Sequence, residues 1–153
     1  MANSILGGMR ELLLANSELE QYRVRFTDLT RTSIYLQAAP QGLDLTGGVV
    51  IVLEDLSNLT DRTTESRMLE SNINIIFFGT DPDLLVETIL PLLFDILDDE
   101  ESRYKVNQHE VHNCEILNFR LVLEEGLDGA GNNIYALSVE CKVDSNRIRK
   151  GSE

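Results

Sequence analysis

The chain has few of the features that mark secreted, membrane-bound or metal-dependent proteins. It contains no tryptophan, only three prolines and two cysteines, and half as many basic as acidic residues. It has no uninterrupted apolar run of the ~20 residues that a membrane-spanning helix needs. Its first residues carry neither the basic start nor the long apolar stretch of a secretory signal. With 42% apolar residues among 153, the composition is typical of a single soluble domain, which we expect at 1–143.

The shortage of positive charge bears on possible partners. The net charge is −13, and residues 80–143 alone contain 14 acidic residues against 4 basic ones. Nucleic-acid affinity comes mainly from cations that displace condensed counterions. The charge balance therefore disfavours sequence-specific binding of DNA or RNA.

The two cysteines are predicted to stay reduced. If the strands that contain them form a hairpin around Gly129, Cys141 pairs near Leu117. Cys114 then lies three residues further along its own strand, on the other face. Because a disulfide needs convergent Cβ atoms, we expect two free thiols and a reducing compartment.

No pattern in the sequence predicts catalysis, a metal or a cofactor. His109 and His112 are three residues apart in a segment that leads into a predicted strand, where positions three apart point to opposite faces, and zinc would need two further ligands. The glycine-rich stretch 126–131 connects two strands and lacks the helix N-terminus that binds phosphate. The acidic run 98–101 has no glycine for a calcium loop. We therefore expect a protein that is not an enzyme.

Two helices are predicted from apolar residues at helical spacing. The first covers residues 4–21, with an interruption expected at Asn16. The second covers 83–98 and has the clearer start, since Asp81 can cap it and Pro82 takes the first helical position, where its missing N–H costs nothing. Pro91 lies on the polar face of this helix and is expected to kink it.

Strands are predicted from alternating and β-branched runs. They are a short strand within 22–31, a second at 34–36, one covered on both faces at 49–54, a long strand at 67–78, and a hairpin formed by 111–124 and 134–143. We expect one face of the hairpin to be buried and the other wet, a long polar loop at 55–66 and a flexible tail at 144–153. The predicted fold is α+β: a mixed, largely antiparallel sheet with two helices packed on it and a C-terminal β-hairpin.

The order of these elements resembles that of the tail terminator (tail completion) proteins of tailed bacteriophages. The resemblance covers residues 4–143. It rests on the Ala39-Pro40-Gln41-Gly42 loop before the strand at Val49, on the extended strand 67–78, and on the helix that starts at Asp81-Pro82-Asp83 ahead of the hairpin. The family has no catalytic motif to carry over.

The resemblance implies a structural virion protein that forms a homohexameric ring. Such a ring would sit on the tail tube protein, stop growth of the tube and dock to the head–tail connector or adaptor protein. It would be assembled in the host cytoplasm and occupy the head-proximal end of the tail, with no membrane contact and with genomic DNA passing through it. The acidic balance agrees with this, since a negative lumen does not hold DNA.

Subunit contacts are expected at the polar start of strand 67–78, at the loop 58–66 and at the hairpin tip. Basic residues in so acidic a chain are candidates for pairing with acids of a neighbouring subunit. The candidate contact residues are Arg62, Arg67, Glu70, Asn72, Arg120, Asp128 and Asn132.

Two other functions stay open from the sequence. One is a different connector, adaptor or head-completion protein of a phage. The other is a small cellular binding module that captures a peptide at a sheet edge.

Overall fold

A computed structural model describes residues 5–24, 33–39, 42–43, 45–46, 48–55, 68–98, 105–106 and 109–147. The helices are α1 (Ile5–Ala15), α2 (Ser17–Glu20), α3 (Pro82–Leu84) and α4 (Leu90–Asp98), and the π-helical turn Leu85–Ile89 joins the last two. The strands are β1 (Ile34–Leu36), β2 (Val49–Asp55), β3 (Met68–Gly79), β4 (Lys105–Val106), β5 (His109–Leu127) and β6 (Asn133–Arg147). None of the helices in this described part has the length and hydrophobicity that crossing a bilayer requires.

One six-stranded sheet organises the molecule, in the order β1-β2-β3-β6-β5-β4. Only β1 and β2 run parallel, and every other pair is antiparallel. The first face of the sheet packs against the helices and carries Ile51, Phe77 and Val139, which are fully buried. The second face carries Val50 and Ile76 on the same strands. This architecture confirms the predicted α+β fold with its mixed, largely antiparallel sheet and its C-terminal hairpin.

The helical predictions are confirmed, with one irregularity. Asn16 interrupts the first helix and caps α2 by accepting a 2.8 Å hydrogen bond from the Leu19 amide. Asp81 caps α3 by accepting from the amides of Asp83 and Leu84, at 3.1 and 3.3 Å. The disturbance expected at Pro91 takes the form of the π-helical turn that precedes it. A proline ring clashes with the carbonyl four residues earlier, and a wider turn gives that carbonyl room.

The strand predictions hold for β1, β2 and β3 to within one residue. Residues 49–53 of β2 are all buried, as their β-branched run predicted. Of the ambiguous segment 22–31, the structure describes only its first residues, where Arg23 forms an isolated parallel bridge with Val49. Of the long polar loop predicted at 55–66, Asp55 is the last residue of β2, and the rest lies outside the described residues.

The hairpin is longer than predicted and contains a β-bulge. β6 continues to Arg147, so the first four residues of the predicted tail belong to a strand. A register shift between Ile116 and Asn118 leaves Leu117 as an extra residue. The bulge pairs Cys141 with Ile116 instead of Leu117, which places Cys114 and Cys141 on the same buried face. Both are free thiols, but the prediction that they lie on opposite faces is wrong, because it counted residues through an unbroken ladder.

Candidate subunit-contact surfaces

The hairpin tip is fixed to the segment before β2 by one carboxylate. Asp128 accepts hydrogen bonds from the amides of Ala130 and Asn132 within the tip, at 3.0 and 2.7 Å. It also accepts from the Leu45 amide, at 2.9 Å, 83 residues away in sequence. A backbone bond from the Gly129 amide to the Leu43 carbonyl, 2.8 Å long, runs beside it. We call this set of contacts the tip clamp.

Two glycines of the tip adopt a backbone conformation that disfavours other residues. Gly126 and Gly131 have φ of +88° and +86°, a conformation that an L side chain adopts only with strain. The backbone amides around Asp128, the Asn132 amide above all, hold the pKa of this carboxyl below its ordinary value of 3.8, although its burial opposes the shift. Asp128 is therefore a charged anchor at neutral pH.

The lowered pKa of Asp128 predicts an acid-sensitive fold. A carboxyl with a lowered pKa in the folded state stabilises that state fully above its unfolded pKa, and the contribution is lost as pH falls through the folded value. Asp128→Asn should lower Tm by several degrees at pH 7. The wild-type Tm should fall as the pH drops below 3.8 and Asp128 becomes protonated, and the variant should lack this contribution to the fall. Circular dichroism melts across this pH range measure both effects. The control Asp95→Asn, at an exposed site on α4, should leave Tm unchanged, and equal behaviour of the two variants would contradict the clamp.

A row of apolar side chains is exposed on the outer part of β5. The β5 apolar row comprises Leu117, Phe119, Leu121, Leu123 and Leu127, which are 37% to 60% exposed. Phe119, Leu121 and Leu123 pair with Val139, Leu137 and Tyr135, so they lie on the first face of the sheet. Among the described residues, one contact between this row and the helices is that of Phe119, whose ring meets Phe94 edge to face at 6.4 Å between centroids. The prediction that this face of β5 is buried is therefore wrong beyond the end of the helical layer.

The backbone edge of β5 is also open along most of its length. Within the described residues, its outer side pairs only with the two residues of β4, opposite His109 and Glu110. The strand then continues to Leu127 without a partner on that side among the described residues. A long apolar edge with unpaired amides and carbonyls is a template for another chain. The β5 edge and its apolar row together form a surface suited to protein contact.

The second face of the sheet forms a groove near the hairpin tip. Its floor is apolar and consists of Val50, Val52, Ile76, Phe78 and Ile134. Its walls are residues of the 37–45 segment and of the tip, 124–128, which the tip clamp holds together. The groove has a volume of about 550 Å³. We call this feature the second-face groove.

The buried cysteines do not form a reactive site. The hydrogen bond between the Cys114 and Cys141 side chains, together with burial, raises the pKa of the Cys141 thiol far above its ordinary range. The nucleophilic form of cysteine is the thiolate. At neutral pH Cys141 is therefore an inert core thiol.

Of the predicted contact residues that the structure describes, Asp128 and Asn132 are joined by hydrogen bonds. Asn132 is exposed, and its side-chain amide donates hydrogen bonds to Thr46 and Asp128. Asn132 and Asp128 therefore both take part in the tip clamp. Arg120 is exposed on β5 opposite Ser138, and Asn72 is half-buried on β3 opposite Lys142. Glu70 lies on β3 opposite Asp144. Arg62 and Arg67 lie outside the described residues.

Sequence reasoning missed the two most distinctive surfaces. The β5 apolar row was visible as an alternating pattern, but alternation does not reveal where a covering helix ends. The second-face groove left no local signal, since its lining comes from five separate segments. Among the described residues, no group of three His, Cys, Asp or Glu could hold a metal ion.

Comparison with known proteins identifies a solved structure with a similar fold. No protein family and no curated protein sequence matches this chain. The structure is similar to a chain of the solved structure described as "Virion of native gene transfer agent (GTA) particle", with a TM-score of 0.62 and 11% sequence identity. The match covers 94% of this chain and 96% of that chain. The two chains therefore share a fold over nearly their whole length.

Proposed function

We propose that this chain is a structural protein of a phage-like virion and, more specifically, its tail terminator. The observation that carries the proposal is the fold shared with a chain of a gene transfer agent virion over 94% of this chain. The element order that resembles the tail terminators supports the more specific role. The role is structural and involves no catalytic step.

The surfaces on β5 support self-assembly. Burying each side chain of the β5 apolar row would contribute roughly 1 kcal/mol, since about half of each is already covered. The open β5 edge adds backbone hydrogen bonds to the same contact. These contributions must exceed the repulsion between subunits that each carry a net charge of −13.

A ring follows if the β5 surface of one subunit meets a different surface of the next. Such a heterologous contact closes into a ring when its rotation allows, and the proposed state is a hexamer. The ring would cap the tail tube protein on one side and dock to the connector or adaptor protein on the other. Its acidic character lets DNA pass without being held, because there is little cationic surface for phosphate.

The proposal is tested by mass and by location. Native mass spectrometry at several protein concentrations should show a hexamer. Electron microscopy of purified tails with a gold-labelled antibody should place the protein at the head-proximal end only. Absence of the protein from every virion and tail fraction would contradict the proposal, and a location elsewhere in the virion would favour a different connector or completion role.

The open β5 edge also supports a second candidate, a binding module that adds a peptide as an extra strand. This candidate predicts a monomer or dimer that is absent from virions. The measurements of mass and location therefore separate the two functions.

A further inference from the structure

The lining of the second-face groove combines an apolar floor with charge of one sign. Glu54, Glu124 and Glu125 line it, and none of the described lining residues is Lys, Arg or His. Glu54 is held in place by a 3.3 Å hydrogen bond from the Asn74 side chain, which itself accepts from Ser138 at 2.8 Å. A ligand suited to this groove is an extended segment with an aliphatic side chain between basic ones.

The chain itself contains one such segment. Arg147-Ile148-Arg149-Lys150 places an isoleucine among three basic residues, in a protein with only 13 basic residues in total. Arg147 is the last residue of β6, and residues 148–150 lie outside the described part. The charge of this segment is complementary to that of the groove.

A subunit's own segment cannot reach its own groove. Glu124, on the groove wall, directly follows Leu123, which pairs with Tyr135 on β6. From Tyr135, β6 runs twelve residues further to Arg147. At about 3.3 Å per residue, this part of the strand spans roughly 40 Å. Lys150 is three residues beyond Arg147, so its Cα lies within about 11 Å of the strand end. If residues 147–150 occupy a groove, it must therefore be the groove of another molecule.

We infer that the second-face groove binds residues 147–150 of a second copy of this chain. The inference extends the self-assembly proposed above, because it names a contact between neighbouring subunits. Ile148 lies on the floor formed by Val52 and Ile76, and Arg149 and Lys150 pair with Glu124 and Glu125. The contact joins the end of β6 in one subunit to the groove near the hairpin tip of the other. Because these are two different surfaces, the contact is heterologous, as a ring requires.

The test measures binding of a labelled peptide to the full-length protein. The probe is a fluorescein-labelled peptide of residues 144–153, and the protein carries Arg149→Glu and Lys150→Glu so that its own segment does not compete. Fluorescence anisotropy should rise to saturation. Adding Glu124→Lys and Glu125→Lys to the protein should weaken the Kd by about tenfold or more, since like charges facing each other cost several kcal/mol.

A charge-matched control separates the groove from general attraction to an acidic surface. Glu87→Lys with Asp95→Lys makes the same change at two exposed helical sites and should leave the Kd unchanged. Absence of saturable binding, or equal weakening by both pairs of substitutions, would overturn the inference. Loss of binding with the groove variant alone supports it, whether or not the protein forms hexamers, so its failure and that of the proposed ring are distinguishable.

Discussion

Subunits in which Leu121 and Leu123 are both replaced by aspartate are expected to remain folded and to lose self-association. The two side chains are 37% and 60% exposed, so the fold depends little on them. In the proposed ring these side chains would be buried, and two carboxylates would have to be desolvated in their place. We expect the association constant to fall by about 100-fold or more, measured by native mass spectrometry or by sedimentation over a range of concentrations.

The control for this prediction is Val86→Asp. Val86 is 40% exposed, and it lies on the helical layer, away from β5. It matches the aspartate variants in chemistry and exposure but not in location. If both proteins assemble like the wild type, the β5 apolar row is not a subunit contact.

Phe77→Ala is expected to destabilise the fold severely. Phe77 is fully buried on the first face of β3, between Ile51 on β2 and Leu137 on β6. Truncating a buried phenylalanine costs about 3–5 kcal/mol, because apolar contacts are lost and a cavity remains. In a chain of this size, the expected fall in Tm is roughly 10 °C. Thermal and urea denaturation measure it.

The neighbouring residue provides a matched control. Phe78 has the same side chain on the same strand, but it points to the second face and lines the groove, where it is only half-buried. Phe78→Ala should cost less than half as much as Phe77→Ala. Equal losses would contradict the assignment of the helices to a single face of the sheet.

The parts of the fold that could be predicted are those with a local physical cause. Asp81 and Pro82 predict the start of a helix independently of the tertiary contacts around them. The alternation along β6 likewise predicts which of its residues are buried. The bulge at Leu117 could not be predicted, because a one-residue insertion in a ladder depends on the partner strand. That single residue changed the pairing of Cys141 and so the relation of the two thiols.

The contact surfaces were less accessible to sequence reasoning than the elements that form them. Polar and basic residues were predicted as contact residues, and two of them, Asp128 and Asn132, also form the tip clamp within one subunit. The β5 apolar row is exposed although its residues alternate like those of a buried strand face, and which part of a strand a helix covers is a tertiary property. The groove depends on segments that meet only in the folded sheet.

The tip clamp has a consequence for the order of folding. Its bond from Leu45 to Asp128 closes a separation of 83 residues, and contacts so distant in sequence form slowly because the entropy of closing a long loop must first be overcome. The strands between Leu45 and Asp128 bring these two residues close together only after the strands have paired. We therefore expect the clamp to be among the last contacts made. Since the clamp joins both walls of the groove, a newly synthesised chain would offer this surface only when its folding is complete, and in the proposed assembly unfinished chains would be left out.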